Sequence, residues 1–502
     1  MSGSASSQIL EVLEDAIQGA SSALAQQRLQ EIRERLQSPV RLAIAGRVKA
    51  GKSTLLNALI GEELAPTDAG ECTQIVTWYV HGQSPRVRLF PVDGPVVERP
   101  YLRDKGALDI DLGGVSPEDV DHLEVSWPSN RLRETTLLDT PGIASISSHI
   151  SARTEAVLTS APESVPVADA VLYLLRHAHA SDLRFLEAFE SDEMLAGTSI
   201  NTVGVLSRAD EVGSCRLDAM MVARRVAERY ERDHRIHRLC PTVLPVIGLV
   251  AHAAATLREG EYAALAAVAR AEEYEVSQLL LSADRFAQRD SPVDVDTAVR
   301  TALLSRLGLF GVRLSVHLIS SGACGTATEL SRTLQDQCGI EELRGVLSRQ
   351  FTERSRILRV RSAVAAVRLL LDSDVCEHSP ALQARVEQVI ASDRDLDEIR
   401  LWEAVRSGDV DLTPARSTEL DRLLGGSGQD PMSRLGASSA DPEILRRSAA
   451  EALERWQRLA NHPLTPRPTQ RAARTAIRTL EAISMTFAAG LSEPSGRPPT
   501  SL

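Results

Sequence analysis

The stretch RLAIAGRVKAGKSTLLNALIG, residues 41–61, constrains this chain more than any other. A run of β-forming apolar residues ends at Gly46, the pattern G-x-x-x-x-G-K-S follows over 46–53, and an apolar helical segment begins at once. That order predicts a strand, a glycine-rich loop and a helix whose N-terminal amides wrap a phosphate group. Gly46, Lys49, Ala50, Gly51, Lys52, Ser53 and Thr54 are the residues expected to meet it. Lys52 would reach the terminal phosphates, and the Ser53 hydroxyl would ligate Mg2+. Lysine is otherwise almost absent: it stands at 49, 52 and 105, and the rest of the 56 basic residues are arginine. A loop closing tightly on phosphate admits a slim ammonium more readily than a planar five-donor guanidinium, which accounts for Lys52.

Two further stretches extend the same chemistry. TLLDTPG at 136–142 reads as an apolar strand delivering Asp139 to the magnesium ion, with the Gly142 amide offered to a γ-phosphate. TVGVLSRADEV at 202–212 reads as a strand that ends in Ser207, Arg208, Ala209 and Asp210. A carboxylate at Asp210 can accept two hydrogen bonds from the N1–H and N2–H2 edge of guanine, a donor pair that adenine lacks. Arg208 stands where such motifs usually carry lysine, and its plane can stack on a base as the lysine stem does. GTP and GDP are therefore the expected nucleotides, with ATP or no base preference as the alternatives. The base-capping position after TVLPVIG holds Ile247-Gly248 and stays unassigned. A threonine that would complete the magnesium shell should lie between the loop and Asp139; among Thr67, Thr73 and Thr77, Thr73 is the choice.

The rest of the chain sets these motifs in an architecture. At 502 residues it exceeds the usual single-domain range. Residues 8–37 carry apolar positions at helical spacing, with Leu10, Leu13, Ile17, Leu29, Ile32 and Leu36 on the expected faces. From 41 to 248, short β-rich runs alternate with helical patterns, which predicts an α/β layer with a largely parallel sheet; 83–130 reads as an antiparallel insert or an extension of the sheet. Beyond about 250 the signals are helical, with one long stripe over 340–371 from Leu343 through Phe351 to Leu371. Arginines 349, 354, 356, 359, 361 and 368 around it read as a solvated face, or alternatively as a contact for acidic lipid or a partner. Further helices are expected at 383–406, 443–460 and 468–489, a flexible loop at 425–442 and a disordered tail at the C-terminus. The expected domains are N-terminal helices over 1–39, an α/β head over 40–330, an all-α region over 331–490, and a tail over 491–502.

Charge and cysteine content narrow the classes. A net charge of −12 argues against a nucleic-acid partner, which calls for a basic face. The six cysteines are scattered without metal-ligand spacing and read as reduced and mostly buried. The N-terminal residues lack a basic stretch followed by an apolar one, and the nearest candidate for a membrane span, LGLFGVRLSVHLI at 307–319, is short and interrupted by Arg313 and His317. The expected location is cytoplasmic, with any membrane contact peripheral, at the inner face of the plasma membrane.

These motifs resemble those of translation-factor-type GTPases. The wide spacing between Lys52 and Asp139, longer than a minimal Ras-sized domain uses, together with long helical flanks, is similar to the bacterial dynamin-like proteins. Stretches such as PTDAGECTQIVTWYVHG and SRADEVGSCRLDAM resemble the actinobacterial isoniazid-inducible group, in its shorter C-type form. The resemblance implies a Mg2+-dependent GTPase head, a neck bundle joining both chain ends, a stalk, heads that pair across the nucleotide and membrane or cell-envelope remodelling. The partner it implies is a second copy or a paired dynamin-like protein, with a peripheral anionic membrane. Eukaryotic dynamins carry a catalytic serine where Lys49 stands here, and guanylate-binding relatives carry an arginine finger there, so Lys49 is expected to act on the developing charge; a solvent-facing loop residue is the alternative. Lys49, Lys52 and Thr73 are thus the expected catalytic residues. Ile143 follows the Asp-Thr-Pro-Gly run and cannot orient water. The alternative readings of function are a GTP-gated scaffold that hydrolyses poorly and serves a partner dynamin, and a ribosome or RNA assembly GTPase.

Overall fold

The computed structural model describes residues 5–20, 22–66, 75–104, 107–140, 168–176, 201–288, 293–372, 380–392, 394–406 and 408–489. The chain divides into two compact units: Gln37–Ala196 with Asn201–Leu347, and Met1–Leu36 with Gly197–Ile200 and Ser348–Leu502. The α/β head thus runs to Leu347, beyond the position 330 at which the sequence reading drew its boundary.

The head is built on a nine-stranded sheet. Its strands are β1 (Val40–Gly46), β2 (Thr77–His81), β3 (Arg86–Pro91), β4 (Val97–Arg99), β7 (Val120–Trp127), β8 (Thr135–Asp139), β9 (Ala170–Leu175), β10 (Thr202–Ser207) and β11 (Thr242–Val246). They lie in the order β11-β10-β9-β1-β8-β2-β7-β3-β4, and β5 (Tyr101–Asp104) and β6 (Ala107–Ile110) form a separate hairpin. β11, β10, β9, β1 and β8 are mutually parallel. The sheet reverses sense at β2, which runs antiparallel to β8, and again where β3 meets β7 and β4. β9 (AVLYLL) and β10 (TVGVLS) are buried at every position, as parallel strands covered on both faces must be. The antiparallel wing alternates instead, β3 exposing Arg86 and Arg88 while burying Val87 and Leu89.

Helix Thr297–Ser320 of the head is long and apolar enough to cross a membrane by length and composition, at a mean hydropathy of 1.4. Half of that window is buried in the head, where Leu303, Leu307, Phe310 and Leu314 pack inward. Gly308, at φ 67, kinks it. Its Arg300 is 1% exposed and is satisfied by the carbonyls of Phe286, Gln288 and Val295.

The helical unit draws on both ends of the chain. Helix α1 (Ala5–Gly19) packs on Ser355–Asp372 and Pro380–Ser392. Its buried stripe is Ile9, Val12, Leu13 and Ala16, rotated from the expected one so that Leu10 and Ile17 sit at its margins. α2 (Ala23–Gln37) buries Leu29, Ile32 and Leu36 as its spacing predicts. Helices Pro442–Asn461 and Arg467–Ala489 form a long pair that buries Trp456 and Leu480. The long helical stripe over 340–371 is carried by more than one helix: Ile340–Leu347 ends the head, a π-turn spans Ser348–Thr352, and a new helix starts at Ser355. The apolar stripe survives the break, since Phe351 and Leu358 are both buried.

One loop reading changes. The segment 425–442 contains a short helix, Pro431–Leu435, capped by the Asp430 carboxylate on the Ser433 amide and closed by Gly436 at φ 63. The arginines of 354–368 act as struts inside this unit. Arg354 lies over the Trp402 ring at 3.6 Å and donates to the Leu424 carbonyl, Arg356 pairs with Asp395, Arg361 with Glu403 and Arg368 with Glu387. Cys215, Cys240, Cys324 and Cys338 are free thiols; Cys72, Cys376 and the C-terminal tail lie outside the described residues.

Candidate nucleotide site

The carboxyl ends of the parallel strands are where an open α/β sheet binds ligands. Here β1 turns at Gly46 into the loop 47–51, and helix α3 (Lys52–Ile60) rises from it. Gly46 sits at φ 147, and a Cβ there would come within 2.9 Å of the Leu174 carbonyl of β9, so only glycine lets the loop leave the sheet at this point. Lys49 and Gly51 also adopt positive φ, at 61° and 95°. α3 starts without any side-chain cap, which leaves its first amides free for an anion. Ala50 is buried, Gly51, Lys52, Ser53 and Thr54 are half-buried, and Val48 and Lys49 face outward.

The Lys52 ammonium donates to the carbonyls of Gly46 and Arg47 at 3.2 and 3.3 Å. Burial lowers its proton affinity, and Asp139 partly restores it. Ser53 donates from Oγ to Asp139 Oδ2 at 3.1 Å, because parallel pairing sets Ile44 opposite Asp139. Burial raises the Asp139 carboxyl above its ordinary value, against the opposing pull of Lys52 and Ser53. A hydroxyl and a carboxylate converging beside a phosphate loop are oxygen donors of the kind Mg2+ takes, so these residues fit that ion. The next residue, Thr140, is buried and anchors the strand end by donating to the Ile44 carbonyl at 2.8 Å.

The third stretch lies two strands away, at the end of β10. Ser207 is buried and donates to the Leu175 carbonyl at 3.3 Å. Arg208, at φ 52, caps the four-residue helix Ala209–Val212. Its guanidinium pairs with Glu211 at 2.9 Å, and Arg176 from the end of β9 pairs with the same carboxylate at 2.6 Å. These two arginines hold Glu211 below the usual carboxylate range despite its partial burial. Asp210 is half-buried, and burial raises its carboxyl. Gly248, after β11, packs against the Thr54 side chain and so brings the Ile247-Gly248 turn to the phosphate-loop helix.

The structure therefore brings Ser53 and Asp139 into direct contact, with the Lys52 ammonium near enough to act on the Asp139 charge, and sets Ser207, Arg208 and Asp210 along the same edge of the sheet. Thr67, Thr73, Gly142 and Ile143 lie outside the described residues. Thr77 is a buried strand residue whose hydroxyl turns to the Ile75 carbonyl.

Sequence reasoning passed over Asn57. It is fully buried, accepts from the amides of Leu64 and Ala65 and donates to the Ala65 carbonyl, so it fastens the chain just ahead of the Thr67–Thr73 stretch. A lone amide in the apolar run STLLNALI was the available signal. It also passed over Arg131 and Arg344, which donate to the Leu59 and Ala58 carbonyls at the far end of α3.

A glycine-rich loop, a strand end at Asp139 and a Ser-Arg-Ala-Asp strand end on one largely parallel sheet define a P-loop nucleotide-binding head of the GTPase class. The chain belongs to the dynamin family, whose model matches residues 42–208. It is 38% identical over 465 residues to the isoniazid-induced protein IniC of Mycobacterium tuberculosis, covering 92% of this chain and 93% of that one. It is also 31% identical over 172 residues to the isoniazid-induced protein IniA of the same organism, across 30% of this chain and 26% of IniA. A bacterial dynamin-like protein of Nostoc punctiforme is 32% identical over 118 residues, or 21% of this chain and 17% of that protein.

Proposed function

We propose that this chain is a Mg2+-dependent GTPase that couples GTP binding and hydrolysis to head pairing and to remodelling of a membrane or the cell envelope. The observation that carries the reading is the half-buried Lys52 ammonium, held on two carbonyls beside the Ser53–Asp139 contact. A cation desolvated in this way is poised for phosphate oxygens, and the uncapped amides of α3 would add their dipoles to its charge.

Ser53 and Asp139 would hold Mg2+, with Thr73 joining them when a γ-phosphate is present. The bound ion supplies charge neutralisation at the phosphates. Gly46, Ala50, Gly51 and Thr54 would line the phosphates with backbone, and Gly142 would offer its amide to the γ-phosphate. Ser207 would fix the end of β10, Arg208 would cover the base, and Asp210 would read its N1–H and N2–H2 edge. Lys49 would extend over the phosphates as a cis-acting finger. The partner would be a second head or a paired dynamin-like protein, at an anionic membrane reached peripherally from the cytoplasm.

A GTP-gated scaffold with poor hydrolysis is a second reading. It is favoured by Val48, 48% exposed in the loop, and by Ile143, neither of which can orient water. The ribosome or RNA alternative is disfavoured by the charge of −12.

The test is GTP turnover by the purified chain, with and without anionic liposomes. Turnover stimulated by liposomes or by raised protein concentration supports the proposal. GTP binding with no turnover under either condition favours the scaffold. The Lys52→Ala variant should lose nucleotide binding, and retained binding would overturn the role of the loop.

A further inference from the structure

Three residues outside glycine around the base-reading segment hold left-handed backbone: Arg208 at φ 52, Ser214 at φ 54 and Cys215 at φ 55. Such conformations persist only where the surroundings over-determine them. At the entrance, Glu211 ties Arg208 to Arg176. The exit is held from far away in the sequence. Arg313 donates from Nη1 to the carbonyls of Cys215 at 2.6 Å and Ser214 at 3.5 Å. The same guanidinium donates from Nε to Leu280 and from Nη2 to Leu281, at 2.8 and 3.0 Å. The clamped turn closes directly on Asp210. The Cys215 amide donates to the Asp210 carbonyl at 2.8 Å, and the Cys215 thiol lies 3.9 Å from Asp210 Oδ2.

We infer that Arg313 is a positioning residue for base recognition: by spanning the 214–215 and 280–281 carbonyls, it fixes the turn that aims the Asp210 carboxylate. Resting on the proposed GTP site, this assigns base selectivity in part to a residue that touches no nucleotide. A planar fork with separate donors can bridge four carbonyls on two segments, whereas a single ammonium cannot. Loosening the turn should therefore blunt discrimination by the base edge more than it weakens the grip on the phosphates.

The test compares GDP with inosine diphosphate, which lacks the exocyclic amine that Asp210 would bind, by calorimetry on the full chain with Mg2+. The wild type should prefer GDP by about tenfold or more, the worth of a charge-assisted hydrogen bond. Arg313→Lys should weaken GDP about tenfold and inosine diphosphate less than twofold, so the ratio falls. Equal weakening of both, or an unchanged ratio in a variant with native circular dichroism, overturns the inference while leaving the GTP site standing. No GDP binding by the wild type overturns both. Should Arg313→Lys fail to fold, hydrogen exchange on the wild type decides. GDP should slow amide exchange over 278–282 as well as 210–216, and inosine diphosphate should do so less. Protection confined to 210–216 rejects the clamp.

Discussion

The loop residue Lys49 holds a conformation that a side chain resists by about 1–2 kcal/mol, at a position where glycine would be at ease. Keeping a lysine there needs a reason other than folding, and the proposed finger supplies one. Lys49→Gly should leave the thermal midpoint unchanged or higher while lowering GTP turnover about 10²-fold or more; full turnover in single-turnover assays would reduce Lys49 to an ordinary surface side chain. The carboxylates give a pH signature. Burial raises both Asp139 and Asp210 above the ordinary 3.8, and both are proposed to act ionised. As pH falls through those raised values each takes up a proton, so affinity for GDP with Mg2+ should decline at a higher pH than an unperturbed aspartate would cause. The folded head, which holds these protons more tightly than the unfolded chain, gains stability from them over the same interval. Opposite slopes for affinity and for this stability contribution, followed by fluorescence titration and by melts of the wild type against Asp139→Asn, are the expected result.

At the level of elements, α3 is fastened at both ends and in the middle. Its N-terminus rises from the glycine-rich loop, Gly61 closes it at φ 84, Arg131 and Arg344 take carbonyls of its last turn, and Asn57 pins Leu64 and Ala65. Asn57→Ala leaves three buried backbone groups without their partner and should cost about 2–4 kcal/mol in urea unfolding, with GTP turnover reduced through the Thr73 stretch. The fully buried strands β9 and β10 were plain in the sequence because parallel strands are written as continuous apolar runs. The strand, glycine-rich loop and helix over 40–60 were plain because their residues are contiguous. The segment 425–442 misled because glycine, serine and aspartate signal a turn, and here they serve as caps around a helix too short for periodicity to reveal. The break at 348–352 was hidden because the apolar spacing continues through a π-turn. Arg313 and Arg344 act on carbonyls 98 and 286 residues away, a distance at which no local pattern speaks.

The whole molecule is two cores on one chain. That of the helical unit centres on Trp402, 1% exposed, with Arg354 and Arg406 stacked on its ring and its indole N–H donated to Asp421. Burial, with Arg406 alongside, pulls Arg354 down to about 9, still charged at neutral pH. Trp402→Ala should therefore destabilise this unit by about 3–5 kcal/mol, since it opens a cavity and strips a face from a buried cation. GDP affinity should stay at the wild-type value, and a matching fall in affinity would mean that the two cores do not unfold as separate units. The scarcity of lysine has a practical corollary. An endoproteinase that cuts only after lysine meets three bonds in the entire polypeptide, two of them inside the phosphate loop, where Lys49 faces outward and Lys52 is half-covered. Digestion thus becomes a footprint: the pace of cleavage at 49 reads whether the cradle is occupied, with no label and no engineered residue.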